Sequence, residues 1–260
     1  MKRIILILTI MTLLVTSVTA AYADTTNVRV NPADATVEIS RPSTNYSNFK
    51  VIVEKDDVEY IYNLTSESES FPLQMGSGEY KVSILGSNDG RRFRLLSDET
   101  IKTTLEENLV FLSSSQTVNW DMESEVTTLA KAITKDAETD REKLEAIHEY
   151  VVNNVSYDYN KAQNMPKGYI PFAEETLTSG SGICYDFAAL TASMLRSVDV
   201  PTKLVKGYSA FTPVYHAWNE VLVDGEWIVI DTSTDSIFAE YNVKYSLEKN
   251  VADYNTSKVY

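Results

Sequence analysis

Apolar residues fall on alternate positions early in the chain and on every third or fourth position after residue 125. That change of period limits the fold to a β-rich segment followed by a helix-containing one. "NVRV", "TVEIS", "FKVIVEK" and "VEYIYNL" alternate apolar with polar residues and are rich in Val, Ile and Tyr, so each reads as a strand. "GSGEYKVSILGS" repeats the pattern between glycines, and "SNDG" before "RRFRLL" marks a turn. Short strands at this spacing predict a small all-β, sandwich-like domain over residues 24–114. That stretch has neither Cys nor His, so no thiol–imidazole pair can be built in it.

A polar run at residues 113–116 ends the alternation. Val126, Leu129, Ala130 and Ile133 then sit at helical spacing. "TDREKLEAIHEYVVNNV" follows with a capping box, Thr139 and Glu142, and an apolar face of Leu144, Ile147, Val151 and Val155. A predicted loop over residues 161–182 leads to a buried helical stripe of Phe187, Leu190, Thr191, Met194, Leu195 and Val198. Three strand-like runs come next: "TKLVKGYSAF", "VYHAWNEVLV" and "EWIVID". Helices followed by a sheet make residues 115–260 an α+β domain. The tail after Glu240 fits either an added strand or tyrosines packed over the core.

The first residues carry a secretory pattern. Lys2 and Arg3 form a charged start, residues 4–18 are mostly apolar, and Ala21-Tyr22-Ala23 fits the small-x-small cleavage rule. The expectation is a signal peptide over residues 1–23, with Ala20 as a second cleavage point and an uncleaved anchor as the alternative. The apolar run is short for a membrane span. The mature protein is then secreted or held at the cell surface, with no stable membrane span. Net charge moves from −14 to −16 once Lys2 and Arg3 are removed, with 37 acids unchanged. Such a surface repels nucleic acid and anionic lipid and favours cationic partners, or simply keeps an exported protein soluble.

The chain has one cysteine, Cys184, which excludes an internal disulfide framework. Gly180 and Gly182 precede it, and a helix begins at or just after it. A helix N-terminus favours thiolate and supplies N–H groups for an oxyanion. A small buried apolar side chain is the competing role for a free cysteine. Two histidines could serve it. His148 lies on an apolar helix face and reads as a packing residue. His216 lies in an alternating strand, and Asp224-Gly225 beyond it is the signature of a type I′ hairpin. Pairing Val223 with Glu226 sets Trp218 opposite Asp231 and His216 opposite Ser233. His216, Trp218 and Asp231 then share one face, with Asp231 diagonal to His216 and within side-chain reach. Alone, Asp231 would read as a strand-end acid bonding the backbone of "DTST".

"GICYDFAALTASMLRSVDVPTKLVKGY", "HAWNEVLVDGEWIVIDTS" and "AIHEYVVNNVSYD" resemble the motifs of the transglutaminase-like superfamily, whose core is related to the papain fold. The resemblance spans residues 120–236. The β-rich region before it resembles the N-terminal domain of exported members from Gram-positive bacteria. The resemblance implies an α+β, papain-like catalytic core with Cys184 as nucleophile, His216 as general base and acid, and Asp231 as the orienting carboxylate. It implies Tyr157 as an oxyanion candidate, whose alternative role is core packing, and no metal or cofactor. Tyr169, Phe172 and Trp218 are candidate cleft residues. The implied activity is acyl transfer through a thioester on protein or cell-wall peptide amides, ending in cross-linking or hydrolysis. A weakly catalytic or non-catalytic binding scaffold on the same fold is the alternative.

Overall fold

The computed structural model describes residues 27–260; the expected signal segment lies outside the described residues. Seven strands come first: β1 (Val28–Asn31), β2 (Thr36–Ser40), β3 (Asn48–Lys55), β4 (Val58–Leu64), β5 (Ser68–Pro72), β6 (Gly78–Ser87) and β7 (Arg94–Thr103). They form two antiparallel sheets, ordered β1-β2-β5 and β4-β3-β6-β7. Val37, Ile39 and Phe71 of the first meet Val51, Val53, Tyr80, Val82 and Ile84 of the second in one core. This is the sandwich that the alternation predicts, because each strand buries every second side chain between the sheets. The sequence reading missed β5, whose "SESFP" buries only its last two residues. The edge strand β7 runs on from the "RRFRLL" segment through Asp98, Glu99 and Lys102.

The second part is built around one helix. Its elements in order are α1 (Glu125–Ile133), α2 (Asp140–Asn154), β8 (Ser156–Tyr157), α3 (Tyr159–Asn164), α4 (Ala173–Ser179), β9 (Ser181–Gly182) and α5 (Cys184–Arg196). Then come β10 (Thr202–Ser209), β11 (Thr212–Val223), β12 (Glu226–Ile230), α6 (Thr232–Glu240), β13 (Glu248–Lys249) and β14 (Tyr254–Val259). Every residue of α5 from Tyr185 to Arg196 is buried. Its Phe187, Leu190, Met194 and Leu195 join Leu144, Ile147 and Val151 of α2 and Val221 and Ile230 of the sheet. Each such side chain contributes about 1.5–3 kcal/mol by leaving water. The capping box on α2 is formed: Thr139 Oγ1 accepts the Glu142 N–H, and the Glu142 carboxylate accepts the Thr139 N–H.

The sheet is five-stranded and antiparallel, ordered β13-β12-β11-β10-β14. Val223 pairs with Glu226 as the turn chemistry predicts. Asp224 and Gly225 have φ of 55° and 82°, the left-handed pair that a type I′ turn requires. The tail does both things left open by the sequence. β14 adds an edge strand to β10, and Tyr254 packs on Trp218 at 5.0 Å between ring centroids. Gly207 on β10 permits that docking, since a Cβ there would lie 2.0 Å from the Asn255 carbonyl oxygen. The predicted loop over residues 161–182 instead takes in the end of α3 and the whole of α4 and β9. Their short runs carry too few apolar positions to show a period.

Arg196, at the end of α5, is buried, and no Asp or Glu side chain pairs with it among the described residues. Its Nε donates to the Thr202 carbonyl at 2.8 Å, Nη1 to the Ser113 carbonyl at 2.6 Å and Nη2 to the main-chain oxygen of Tyr260 at 3.0 Å. One guanidinium therefore ties the central helix to β10, to the connection from the sandwich and to the tail. Replacing it leaves one buried and two partly buried carbonyl acceptors without their donor. The Arg196→Met variant is expected to lose about 3 kcal/mol or more in urea denaturation. A loss below about 1 kcal/mol would show that water replaces the guanidinium without cost.

Candidate active site

The parallel bridge between β8 and β9 sets Tyr157 beside Gly182, two residues before Cys184. The Ser156 N–H donates to the Gly180 carbonyl and the Asp158 N–H to the Gly182 carbonyl, fixing that register. Cys184 is the first residue of α5 and is half-buried. Asp186 is fully buried in the same turn, where its Oδ2 accepts the Ile183 N–H at 2.8 Å. Gly182 is needed for this fold-back, because a Cβ there would lie 2.6 Å from the Asp186 Cβ. The charge of Asp186 is met by Lys161 at 2.8 Å, and its Oδ1 accepts the Tyr169 hydroxyl at 2.6 Å. The acid therefore organises the helix start while Lys161 offsets its charge.

His216 sits on β11 opposite Gly207 and is buried. Its Nε2 lies 2.8 Å from Asp231 Oδ2. The Cys184 side chain lies close enough to the imidazole to add to the rise in its pKa, and both residues line the same cleft. With Nε2 engaged by the carboxylate, Nδ1 is the nitrogen left for the sulfur. Burial works against a charged imidazole, but the hydrogen bond to Asp231 and the charges of Asp231 and Cys184 outweigh it, and the His216 pKa is raised to about 10. Burial likewise opposes a charged Asp231, and the bonds from His216 and Thr234 reverse that, lowering its pKa to about 2.

The hairpin places Asp231 near His216, but the pairing stops one residue early. The last ladder pair is Asn219 with Ile230, after which the chain turns into α6. Ser233 therefore does not face His216; it lies in the first turn of a helix that Asp231 caps. The two roles weighed for Asp231 coexist. Oδ1 accepts the Thr234 N–H at 3.0 Å and the Ser233 hydroxyl at 2.9 Å, while Oδ2 accepts from His216, the Thr234 hydroxyl at 2.7 Å and the Tyr254 hydroxyl at 3.0 Å. Tyr254 was not singled out from the sequence, since only tertiary pairing of β14 brings it here.

A cleft of about 870 Å³ opens at Cys184 and His216, lined also by Tyr157, Tyr169, Tyr185 and Lys206. Tyr157 has its pKa raised to about 12 by burial and by the neighbouring Cys184, while a hydrogen bond with the Cys184 backbone acts the other way. Tyr169 lines the cleft as expected from the sequence. Phe172 does not: it precedes α4, its ring is exposed, and it lies outside the lining. Trp218 is also absent from the lining, because it is fully buried beneath His216, stacked at 6.3 Å between centroids. The wall from the predicted loop extends only through Tyr169. His148 lies apart from the cleft, buried with Nε2 2.9 Å from Asp235 Oδ2, and Lys249 pairs with the same acid.

Residues 127–232 match the family model described as the transglutaminase-like superfamily. UPF0252 protein MJ1282 of Methanocaldococcus jannaschii is 31% identical over 98 residues, covering 34% of this chain and 28% of that protein. Kyphoscoliosis peptidase of Homo sapiens is 26% identical over 133 residues, covering 45% of this chain and 20% of its own. The chain thus spans less than a third of either curated relative. The periplasmic domain of TgpA from Pseudomonas aeruginosa aligns with TM-score 0.41 at 12% identity, over 81% of this chain and 90% of that one.

The acid–imidazole pair has a definite pH signature. Asp231, with its pKa lowered from 3.8, contributes stability above pH 3.8 that is lost as pH falls through about 2. His216, with its pKa raised from 6.5, contributes stability below pH 6.5 that is lost as pH rises through about 10. The stability advantage of wild type over Asp231→Asn should therefore peak between pH 3.8 and 6.5 in urea titrations. A difference that stays constant across pH would contradict the charged pair.

Proposed function

With residues 127–232 forming a transglutaminase-like core, we propose that the protein is a cysteine acyl-transfer enzyme that opens peptide amides through a thioester. The observation that carries this reading is the chain of contacts from the Cys184 side chain through His216 to Asp231 at the mouth of a cleft. Export and action on protein or cell-wall peptides belong to the same proposal, export resting on Lys2, Arg3 and the apolar run after them.

In the first half-reaction the Cys184 thiolate attacks the carbonyl carbon, and a carbon–sulfur bond forms. The carbonyl oxygen takes the negative charge, facing the Cys184 N–H and the Tyr157 hydroxyl as donors. The carbon–nitrogen bond then breaks, and His216 gives its proton to the leaving amine. In the second half-reaction His216 takes a proton from water or an amine, which attacks the thioester and releases the thiolate. Asp231 holds the imidazole in place and stabilises its charge throughout. Bonds from Ser233, Thr234 and Tyr254 keep the carboxylate from turning away.

Iodoacetamide is expected to alkylate Cys184 faster than a model thiol near neutral pH. Incubation with a glutamine peptide and a fluorescent amine separates the outcomes: incorporated amine means transferase, and free acid or shortened peptide means hydrolase. Cys184→Ala and His216→Ala should abolish turnover, and Asp231→Asn should lower it by about 10²-fold. Full activity in any of these variants would remove that residue from the mechanism. Labelling no faster than a model thiol would favour a scaffold without turnover.

The pH profile follows from the raised His216 pKa. As pH rises through about 10 the imidazolium loses the proton that the leaving amine needs, so kcat/KM should fall there. A profile that instead collapses near pH 6.5 would place the proton donor elsewhere.

A further inference from the structure

The cleft has the opposite charge character to the rest of the protein. The chain carries 37 acids against 23 basic residues, yet among the described residues no Asp or Glu lines the cleft, whereas Lys167 and Lys206 do. Two acids that lie behind the catalytic wall are already satisfied. Asp186 lies fully buried behind Tyr169 with Lys161 as its counter-ion, and Asp231 lies beneath His216.

Lys206 is the unusual member. It extends from β10 beside Ala217 and lies half-buried, with Nζ 3.3 Å from the centre of the Tyr185 ring and 5.1 Å from that of Tyr260. No carboxylate pairs with it among the described residues. Burial lowers its pKa to about 8, and the one group acting in the opposite direction is Cys184. A cation held against aromatic faces without a counter-ion costs desolvation. That cost is recovered when an anion arrives. Tyr185 supplies the ring contact and leaves the remaining ammonium N–H groups free to donate.

We propose that Lys206 is a specificity-determining residue that binds a carboxylate next to the reacting acyl group. The substrate class is then a peptide amide flanked by an acidic side chain or a free main-chain carboxylate, with apolar or aromatic neighbours suited to the tyrosine-rich walls. This rests on the acyl-transfer reading and narrows it. The cationic lining also repels a protonated lysine acceptor, which makes water the favoured partner for the thioester.

The test uses two reagents that make the same carbon–sulfur bond and expel the same iodide but differ in charge. Iodoacetate is an anion and iodoacetamide is neutral, so the ratio of their rates at Cys184 reads the field at the sulfur. Lys206→Met and Lys206→Gln should lower that ratio by about fivefold or more, and Lys206→Arg should retain it. An unchanged ratio in both neutral variants would overturn the carboxylate site. It would do so even if both rates fell together, because that would mean Lys206 acts on the sulfur alone. Slow labelling of the wild type by both reagents, no better than a free thiol, would overturn the acyl-transfer reading and this inference with it.

Discussion

The contact between Asp231 and His216 holds the site together, and both groups are taken out of water to make it. A buried carboxylate facing a buried imidazole offsets the cost of leaving water only if the geometry is good and the remaining lone pairs and protons are hydrogen-bonded. The fold meets that condition from four directions: the hairpin brings His216, the start of α6 brings Ser233 and Thr234, the edge strand brings Tyr254, and α5 brings Cys184. The arrangement depends on the tail as well as the core, since Gly207 must stay small for β14 to reach Tyr254 into place.

Much of the site was legible because it rests on local rules. The Asp-Gly turn fixed the register of β11 with β12, and that register brought Asp231 to the side of His216. The glycines before Cys184 and the apolar stripe after it marked the helix start. Where the reading failed, the cause was a tertiary contact. Strand pairing was extended past Ile230 because nothing in "DTST" alone shows that Asp231 caps a helix instead. Phe172 lies in the loop expected to wall the cleft and Trp218 on the His216 face of β11, and in sequence alone either position suits a cleft residue. Only the packing shows that Trp218 is the floor beneath the imidazole.

The fold was legible to a similar depth. Alternation identified the sandwich, but the polar β5 and the charged end of β7 gave no apolar signal. The cleft's charge was invisible in composition, because an acidic total says nothing about which residues a fold gathers at one surface. Lys206 is one of two lysines in β10; its half-burial against Tyr185 is set by helix α5 docking on the sheet.

The account's central claim is that the Cys184 sulfur carries the acyl group during turnover. Rapid acid quenching followed by peptide mass analysis, with a peptide amide that is turned over, tests it directly. The account predicts an acyl adduct on the Cys184 peptide that appears early and disappears as substrate is consumed. Steady product release with Cys184 unmodified at every time point would contradict it.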